Sequence, residues 1–259
     1  MKVLLCGDVV GDPGRKAIEH FVPRMKMGNE IDFAIANCEN ASGGAGLTPQ
    51  AAQEIIDFGV DVITSGDHIW RFREIYDFME ECDRLVRPIN YPKGVPGRGW
   101  TIVESALGIK VAVLNAIGRV FLATVDCPFE RLLDQIEVIR EQTPIIIVDF
   151  HAEATSEKIA MGHFLKGKIS ALVGTHTHVQ TADECIYPEG TAYITDLGMV
   201  GPFDSVLGRE IDSVIYKFRT QTPTRFPVAK KDVRLCGVII EIDEQTGKAV
   251  SITRVQKSM

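Results

Sequence analysis

The sequence lacks the features that mark membrane proteins and disulfide-rich secreted proteins. Its apolar runs stay short of the roughly 18 residues that a membrane-spanning helix needs, so we expect no membrane partner. The six cysteines are scattered without a C-x-x-C pair, which favours buried thiols in a reducing compartment. The apolar run in MKVLLC ends before Asp8, and no small-residue cleavage site follows it. We interpret this run as a first core strand and expect a cytoplasmic protein.

Basic residues are also scarce relative to acidic ones. The chain has 28 lysines and arginines against 35 aspartates and glutamates, which gives a formal net charge of −7. A general nucleic-acid-binding surface needs a basic face, so we expect no long nucleic acid as a partner. A small anionic substrate is compatible with this balance if a metal centre supplies local positive charge.

Several common catalytic motifs are missing from the sequence. It contains no G-x-x-x-x-G-K-[ST], no H-E-x-x-H and no G-x-S-x-G. The early stretch GDVVGDPG has the wrong glycine spacing for a dinucleotide fingerprint, and Pro13 would disturb it. The chemistry must therefore come from another arrangement of residues.

Short apolar runs alternate with helical patterns in the first third of the chain, which predicts a parallel sheet with right-handed crossovers. The predicted strands there are 3–6, 33–36 and 60–63, and the helices are 13–25, 48–58 and 69–82. The rest is richer in strands, and we expect mainly antiparallel pairing there. Its predicted strands are 100–103, 111–114, 145–150, 169–173, 191–194, 238–242 and 250–255, with helices at 129–140 and 156–165. With 259 residues and no evident linker, we expect one α/β domain spanning 1–259.

Polar side chains follow five of these predicted strands, and the carboxyl ends of strands form the ligand crevice of open α/β sheets. These residues are Asp8, Glu39 with Asn40, Asp67 with His68, His151, and His176 with His178. Each alone has a structural interpretation, because an aspartate can cap a helix and a single histidine can be a core residue. Together they are hard to explain by chance, since four of the six histidines fall at strand ends. We interpret the other two, His20 and His163, as structural residues of helices.

The H-x-H pair at 176–178 is the most specific of these signals. In an extended chain, residues i and i+2 point the same way at a separation of roughly 6–7 Å. That separation suits two metal ions about 3.5–4 Å apart better than a single ion. Mixed carboxylate and imidazole ligands suit iron, manganese or zinc, and a bridging carboxylate is a natural role for Glu39.

The motifs resemble those of calcineurin-like metallophosphoesterases, whose signatures are G-D, G-N-H and G-H-x-H. Here they read GD at 7–8, GDH at 66–68 and GTHTH at 174–178. The finer pattern is similar to the YmdB-type branch of that superfamily. The matching blocks are GDVVGDPGR at 7–15, NCEN at 37–40, NAIGRVF at 115–121, DFHAEATSEK at 149–158, GTHTHVQTAD at 174–183 and ITDLGMVGP at 194–202.

The resemblance implies a four-layer α/β/β/α sandwich with two metal ions, iron or manganese first and zinc as a further possibility. It implies hydrolysis of phosphodiesters, with 2′,3′- or 3′,5′-cyclic nucleotides as the small-molecule substrates. The first ion would be held by Asp8, Glu39, Asn40 and His178. The second would share Glu39 and be held also by Asp67, His151 and His176. The resemblance makes His68 the general acid rather than a ligand.

Two positions depart from the superfamily pattern. The first strand reads Asp8-Val9-Val10 where the superfamily has D-x-H, and Asn40 takes the place of the missing histidine, as it does in the YmdB-type branch. The branch has asparagine where this chain has Asp67. Three matters stay open at this point: a phosphomonoesterase or 5′-nucleotidase activity, a regulatory protein that senses a cyclic nucleotide without hydrolysing it, and a homo-oligomeric state.

Overall fold

A computed structural model describes residues 1–122 and 124–259 and contains two β-sheets with helices against both. The strands are β1 Lys2–Cys6, β2 Asp8–Val9, β3 Phe33–Asn37, β4 Val62–Thr64, β5 Trp100–Glu104, β6 Lys110–Ile117, β7 Ile146–His151, β8 Ala171–Thr175, β9 Cys185–Ile186, β10 Ala192–Ile194, β11 Met199–Pro202, β12 Val233–Ile242 and β13 Ala249–Ser258. The α-helices are α1 Gly11–Met27, α2 Pro49–Asp57, α3 Ile75–Glu81, α4 Pro128–Arg140, α5 Thr155–Leu165 and α6 Ile211–Thr220. A 3-10 helix spans Asp67–Arg71.

The first sheet is built around the parallel strands β1, β3 and β4, as the alternating pattern predicts. Strand β12 pairs antiparallel with β1 and with β13, so the end of the chain closes onto its beginning. The short strands β2 and β11 extend this sheet beyond β12, and β2 carries Asp8, which lies just after β1.

The second sheet has the order β5-β6-β7-β8-β10-β9. Its four central strands, β6, β7, β8 and β10, run parallel, and only the edge strands β5 and β9 are antiparallel. The expectation of mainly antiparallel pairing in the second half was therefore wrong for this sheet. Helix α4 connects β6 to β7 and helix α5 connects β7 to β8, which gives β-α-β crossovers of the kind seen in the first half.

Three hydrophobic clusters define the layers. Alternate residues of β1 face opposite sides: Val3 and Leu5 point at the second sheet, where they join Val113 and Ile147, whereas Leu4 points outward. The outward cluster of the first sheet includes the apolar faces of α1, α2 and α3. The outward cluster of the second sheet includes α4 and α5. This confirms the predicted four-layer α/β/β/α sandwich.

Some local predictions were wrong. The helix predicted at 69–82 is a 3-10 helix followed by a break at residues 72–74 and then α3. The elements β2, β9, β11 and α6 were not predicted. All six cysteines are free thiols, but only Cys6, Cys38 and Cys236 are buried, and Cys185 is exposed. Within the described ranges, none of the helices is both long enough and apolar enough to cross a membrane.

Candidate metal centre

The polar residues predicted from strand ends converge at one edge of the two sheets. Glu39, Asp67, His151 and His176 each offer a ligand atom, and these atoms lie within 4.8 Å of one another. Asp8, Asn40 and His68 contact members of this group directly, and His178 contacts Asp8 and Asn40. Strand ends separated by up to 170 positions are therefore brought to one place by the parallel arrangement, which puts their carboxyl ends together.

Glu39 lies at the middle of the cluster and is almost fully buried. Its Oε1 is 3.4 Å from His151 Nε2 and 3.2 Å from His68 Nδ1. Its Oε2 accepts a hydrogen bond of 3.0 Å from the backbone N–H of His68. Its Oε1 also accepts a hydrogen bond of 3.0 Å from Asn40 Nδ2, so one carboxylate contacts side chains on both sides of the cluster.

Two groups of potential ligands flank Glu39. On one side, His151 Nε2 is 3.4 Å from Asp67 Oδ1 and 3.0 Å from His176 Nδ1. On the other side, His178 Nε2 is 3.8 Å from Asp8 Oδ1 and 3.2 Å from the side-chain nitrogen of Asn40. The division matches the two ligand sets that the family resemblance implies.

Two buried carboxylate oxygens test whether these residues fit a cation. Asp8 Oδ1 and Asp67 Oδ1 are buried and accept no hydrogen bond from any residue that the structure describes. A carboxylate oxygen removed from water without a partner is costly, and a coordinated cation removes that cost. The donor set of carboxylates and imidazoles is one that manganese, iron and zinc accept. The residues therefore fit a metal centre, with one such oxygen in each group.

The orientations of the imidazole rings support the same assignment. The Thr175 hydroxyl donates to Asp149 Oδ1 (2.7 Å), so its oxygen accepts from His151 Nδ1 (2.9 Å), and Nε2 of His151 faces the cluster. His178 Nδ1 donates to the Leu207 carbonyl (3.1 Å), which leaves its Nε2 for the cluster in the same way. Such outer partners fix the tautomer of a metal-binding histidine.

His176 has the opposite orientation. Its Nε2 is 3.1 Å from Glu153 Oε2, and its Nδ1 faces the cluster. Glu153 therefore fixes this ring as Thr175 fixes His151. Glu153 and Thr175 belong to sequence blocks that carry the family resemblance, but their spacing in the sequence does not predict that they orient histidines.

The pKa shifts report an excess of negative charge at the centre. Burial raises the pKa of Asp8 well above its ordinary value. Burial would also raise the pKa of Glu39, but the charge and hydrogen bonds of His151 and His68 hold it well below its usual range. Burial lowers the pKa of His151, yet the carboxylates of Glu39 and Asp67 raise it well above normal. The carboxylates therefore favour a positive charge among them.

The backbone around the centre is shaped by close approach and strain. A Cβ atom at Gly66 would collide with Glu39 Oε2 and His151 Nε2, so only glycine lets the Asp67 turn lie this near the cluster. His176 and His178 have φ angles of 100° and 64°. The expectation of an extended H-x-H segment was therefore wrong, because the chain turns at both histidines.

A buried ion pair that sequence reasoning missed supports this turn. Lys158 Nζ is 2.7 Å from Asp196 Oδ2, and both side chains are almost fully buried. The same carboxylate oxygen accepts the Thr177 N–H at 3.1 Å, between the two histidines. Both partners belong to blocks of the family resemblance, but no pattern in a single sequence pairs residues 38 positions apart.

Comparison with known proteins gives the family. A family model described as a YmdB-like protein matches residues 4–255. The 2′,3′-cyclic-nucleotide 2′-phosphodiesterase of Bacillus subtilis strain 168 is 49% identical over 255 residues, which cover 98% of this chain and 96% of that protein. A putative phosphatase/phosphodiesterase of Mycoplasma genitalium is 34% identical, with 99% and 92% covered. These names agree with the predicted enzyme class, a phosphoric diester hydrolase.

Solved structures agree with the fold. A hypothetical protein from Thermus thermophilus superposes with a TM-score of 0.93 at 36% identity, covering 100% of this chain and 99% of that one. A phosphatase from Mycoplasma pneumoniae gives 0.92 at 33% identity, covering 100% and 93%. Since the family model and the relatives both cover nearly the whole chain, the protein belongs to the YmdB-like family.

Proposed function

We propose that the protein is a metal-dependent phosphodiesterase that hydrolyses 2′,3′- or 3′,5′-cyclic nucleotides. The observation that carries this proposal is the pair of buried oxygens Asp8 Oδ1 and Asp67 Oδ1, which flank Glu39 and accept no hydrogen bond from the described residues. If each oxygen binds one cation, the site holds two metal ions. Two-metal sites are used by enzymes that catalyse in-line displacement at phosphorus. The name of the Bacillus subtilis relative supports the substrate class.

The ligand assignment follows the two groups around Glu39. Asp8, Asn40 and His178 would hold the first ion with Glu39, and Asp67, His151 and His176 would hold the second with Glu39. Iron or manganese is proposed first, and zinc also suits these donors. Ions at such a site supply Lewis-acid activation of water and neutralise charge on the phosphate.

Asn40 takes part through its side-chain oxygen in this assignment. In the structure its Nδ2 donates to Glu39 Oε1 at 3.0 Å, while its Oδ1 is 2.8 Å from His68 Nδ1. A half-turn of the amide exchanges the two atoms without changing the shape of the side chain. The oxygen then lies among the ligands, beside Glu39 and His178.

His68 is proposed as the general acid that protonates the leaving oxygen. It is the most exposed of the predicted histidines, with 42% of its side chain accessible, and it lies at the rim of the cluster. The hydrogen bond to Glu39 raises the pKa of His68 against the opposing effect of burial, and Asp67 adds to the rise. A raised pKa keeps a larger fraction of the ring protonated near neutral pH, as a proton donor requires.

Replacement of His68 by alanine tests this role. We expect turnover of a cyclic nucleotide to fall by roughly 10²–10⁴-fold while elemental analysis shows an unchanged metal content. His163→Ala, at an exposed histidine of α5, is the matched control and should leave both quantities unchanged. Loss of metal from His68→Ala would instead make His68 a ligand, and unchanged turnover would exclude a catalytic role.

A substrate panel tests the reaction class. The enzyme should hydrolyse 2′,3′- or 3′,5′-cyclic nucleotides and bis-p-nitrophenyl phosphate faster than p-nitrophenyl phosphate when iron or manganese is supplied. The reverse preference would favour a phosphomonoesterase, a candidate supported by the phosphatase names of the Mycoplasma relatives. Full metal content without hydrolysis of any diester would favour a sensor of cyclic nucleotides.

We also propose that residues 1–259 form one domain and that the protein acts in the cytoplasm. The family match over 4–255 supports the first point. The free cysteines support the second, because thiols persist in a reducing compartment.

A further inference from the structure

Helix α6 carries an apolar face that nothing in the described chain covers. Only Val214 of this helix is buried. The outward residues Ile211, Ile215, Tyr216 and Phe218 are 39%, 46%, 54% and 71% exposed, and the neighbouring Leu207 and Phe226 are 48% and 38% exposed. Exposed apolar side chains grouped on one helix and the segments beside it are typical of a protein–protein contact.

The charges on α6 are divided between its two ends. Asp212 lies in the first turn, and Lys217 and Arg219 lie in the last turn. At 3.6 residues per turn, Asp212 and Arg219 fall on the same outward stripe as Ile215 and Tyr216. The stripe is therefore acidic at one end, apolar in the middle and basic at the other end.

We infer that α6 is the contact surface of a homodimer, in which it packs antiparallel against α6 of a second copy across a two-fold axis. In an antiparallel pair of identical helices, two residues that lie at the same level along the helices have residue numbers with a constant sum. A centre between positions 215 and 216 places Ile215 at the same level as Tyr216 of the partner subunit, so the apolar residues of both helices meet at the middle of the contact. The same centre places Asp212 against Arg219 of the partner subunit, and by symmetry both pairs form twice.

This self-complementarity favours a second copy over other occupants. A parallel pair would place like charges together, whereas the antiparallel pair neutralises both. A membrane surface is the less suitable partner, because helices that lie on anionic lipid carry mainly basic residues beside their apolar face. Here the face carries Asp212, and the whole chain has a net charge of −7.

The interface would adjoin the metal centre through the segment that leads into α6. The Leu207 carbonyl accepts the hydrogen bond from His178 Nδ1 at 3.1 Å. The Arg209 guanidinium donates to the carbonyls of Gly43 at 3.1 Å and of Phe226 at 3.0 Å, and it also contacts the Gly44 carbonyl. A second copy seated on α6 therefore orders a segment that positions both a ligand histidine and the loop after Asn40.

Sedimentation of the full chain over a wide range of concentration tests the interface. The wild type should contain a dimer, alone or within a larger assembly. Asp212→Arg and Arg219→Asp should each weaken the dimer by roughly tenfold or more, because each faces like charges. The double variant Asp212→Arg/Arg219→Asp should restore the wild-type mass, since it exchanges the two charges. Glu137→Arg, an exposed charge reversal on α4, is the control and should leave the mass unchanged.

Ile215→Asp gives a second measurement that does not depend on the charges. It should halve the mass of the assembly while circular dichroism shows an intact fold, because the position is 46% exposed. A monomeric wild type, an assembly that none of these variants changes, or a double variant that fails to reassociate would each overturn the proposal. Activity is not used as a readout, so the outcome is independent of the proposed phosphodiesterase function.

Discussion

Replacement of Lys158 by methionine should destabilise the protein far more than a lysine change on its surface. Lys158 lies in α5 with its side chain 0% exposed, and its Nζ is 2.7 Å from Asp196 Oδ2. Methionine keeps the apolar stem but removes the charge, which leaves the Asp196 carboxylate buried without its cation. Breaking a buried pair from one side costs about 3–5 kcal/mol, because the remaining charge is uncompensated.

A matched control lies just beyond the same helix. Lys166 forms an ion pair with Glu189 at 3.2 Å, but both side chains are 42% exposed. Water and salt screen an exposed pair, so Lys166→Met should cost less than about 1 kcal/mol. The two variants differ in burial rather than in chemistry, and the difference between them measures the effect of burial.

The measurement is urea unfolding of protein treated with a chelator, followed by circular dichroism. The double variant Lys158→Met/Asp196→Asn should be more stable than Lys158→Met, because asparagine removes the uncompensated charge and keeps one oxygen for the Gly198 N–H at 2.8 Å. The coupling free energy of this cycle should reach roughly 1–3 kcal/mol. A cost for Lys158→Met no larger than that for Lys166→Met would show that the buried ion pair does not stabilise the fold.

The remaining predictions concern the centre itself. Asp67→Asn should retain or improve diester hydrolysis, because it removes a negative charge that weakens the attraction of the metal ions for the phosphate. Asp67→Ala should lose the second metal ion, and an asparagine variant that binds no metal would contradict this view. Thr175→Val should weaken metal binding by roughly 10–100-fold, because it removes the hydroxyl that orients His151. Thr175→Ser keeps the hydroxyl and should bind metal normally, so equal metal affinities for the two variants would exclude an orienting role for Thr175. Gly66→Ala should lose metal, since its methyl group would collide with Glu39 and His151; a variant with full metal content shows that the turn can move.

The positions of the functional residues could be predicted from sequence because they follow apolar runs. A buried strand can be recognised in the sequence as a short apolar run. The residue that follows it lies at the carboxyl edge of the sheet, whatever the order of the strands. Asp8, Glu39, Asp67 and His151 were found in this way. The order of the strands, which decides how these edges meet, has no such local signal.

Other elements could not be predicted because they lack a local pattern. Strands β2 and β11 have only two and four residues and exist through pairing with each other and with β12. Helix α6 is the exception, because its apolar residues recur at helical spacing and this pattern was missed. The predicted helix at 69–82 has helical spacing throughout, but its first turn is held as a 3-10 helix beside Glu39, whose Oε2 accepts the His68 N–H.

The turn at 176–178 directs the two histidines of the H-x-H motif to different neighbours. Extended residues i and i+2 would present both rings to one side at roughly 6–7 Å, but the positive φ angles of His176 and His178 show that the chain turns at both residues. Such conformations cost about 1–3 kcal/mol each and need support from neighbouring groups. Asp8 Oδ2 accepts the His176 N–H at 2.9 Å, and Asp196 Oδ2 accepts the Thr177 N–H at 3.1 Å. The backbone is thereby held so that His176 joins the Asp67 group and His178 joins the Asp8 group, one histidine on each side of Glu39.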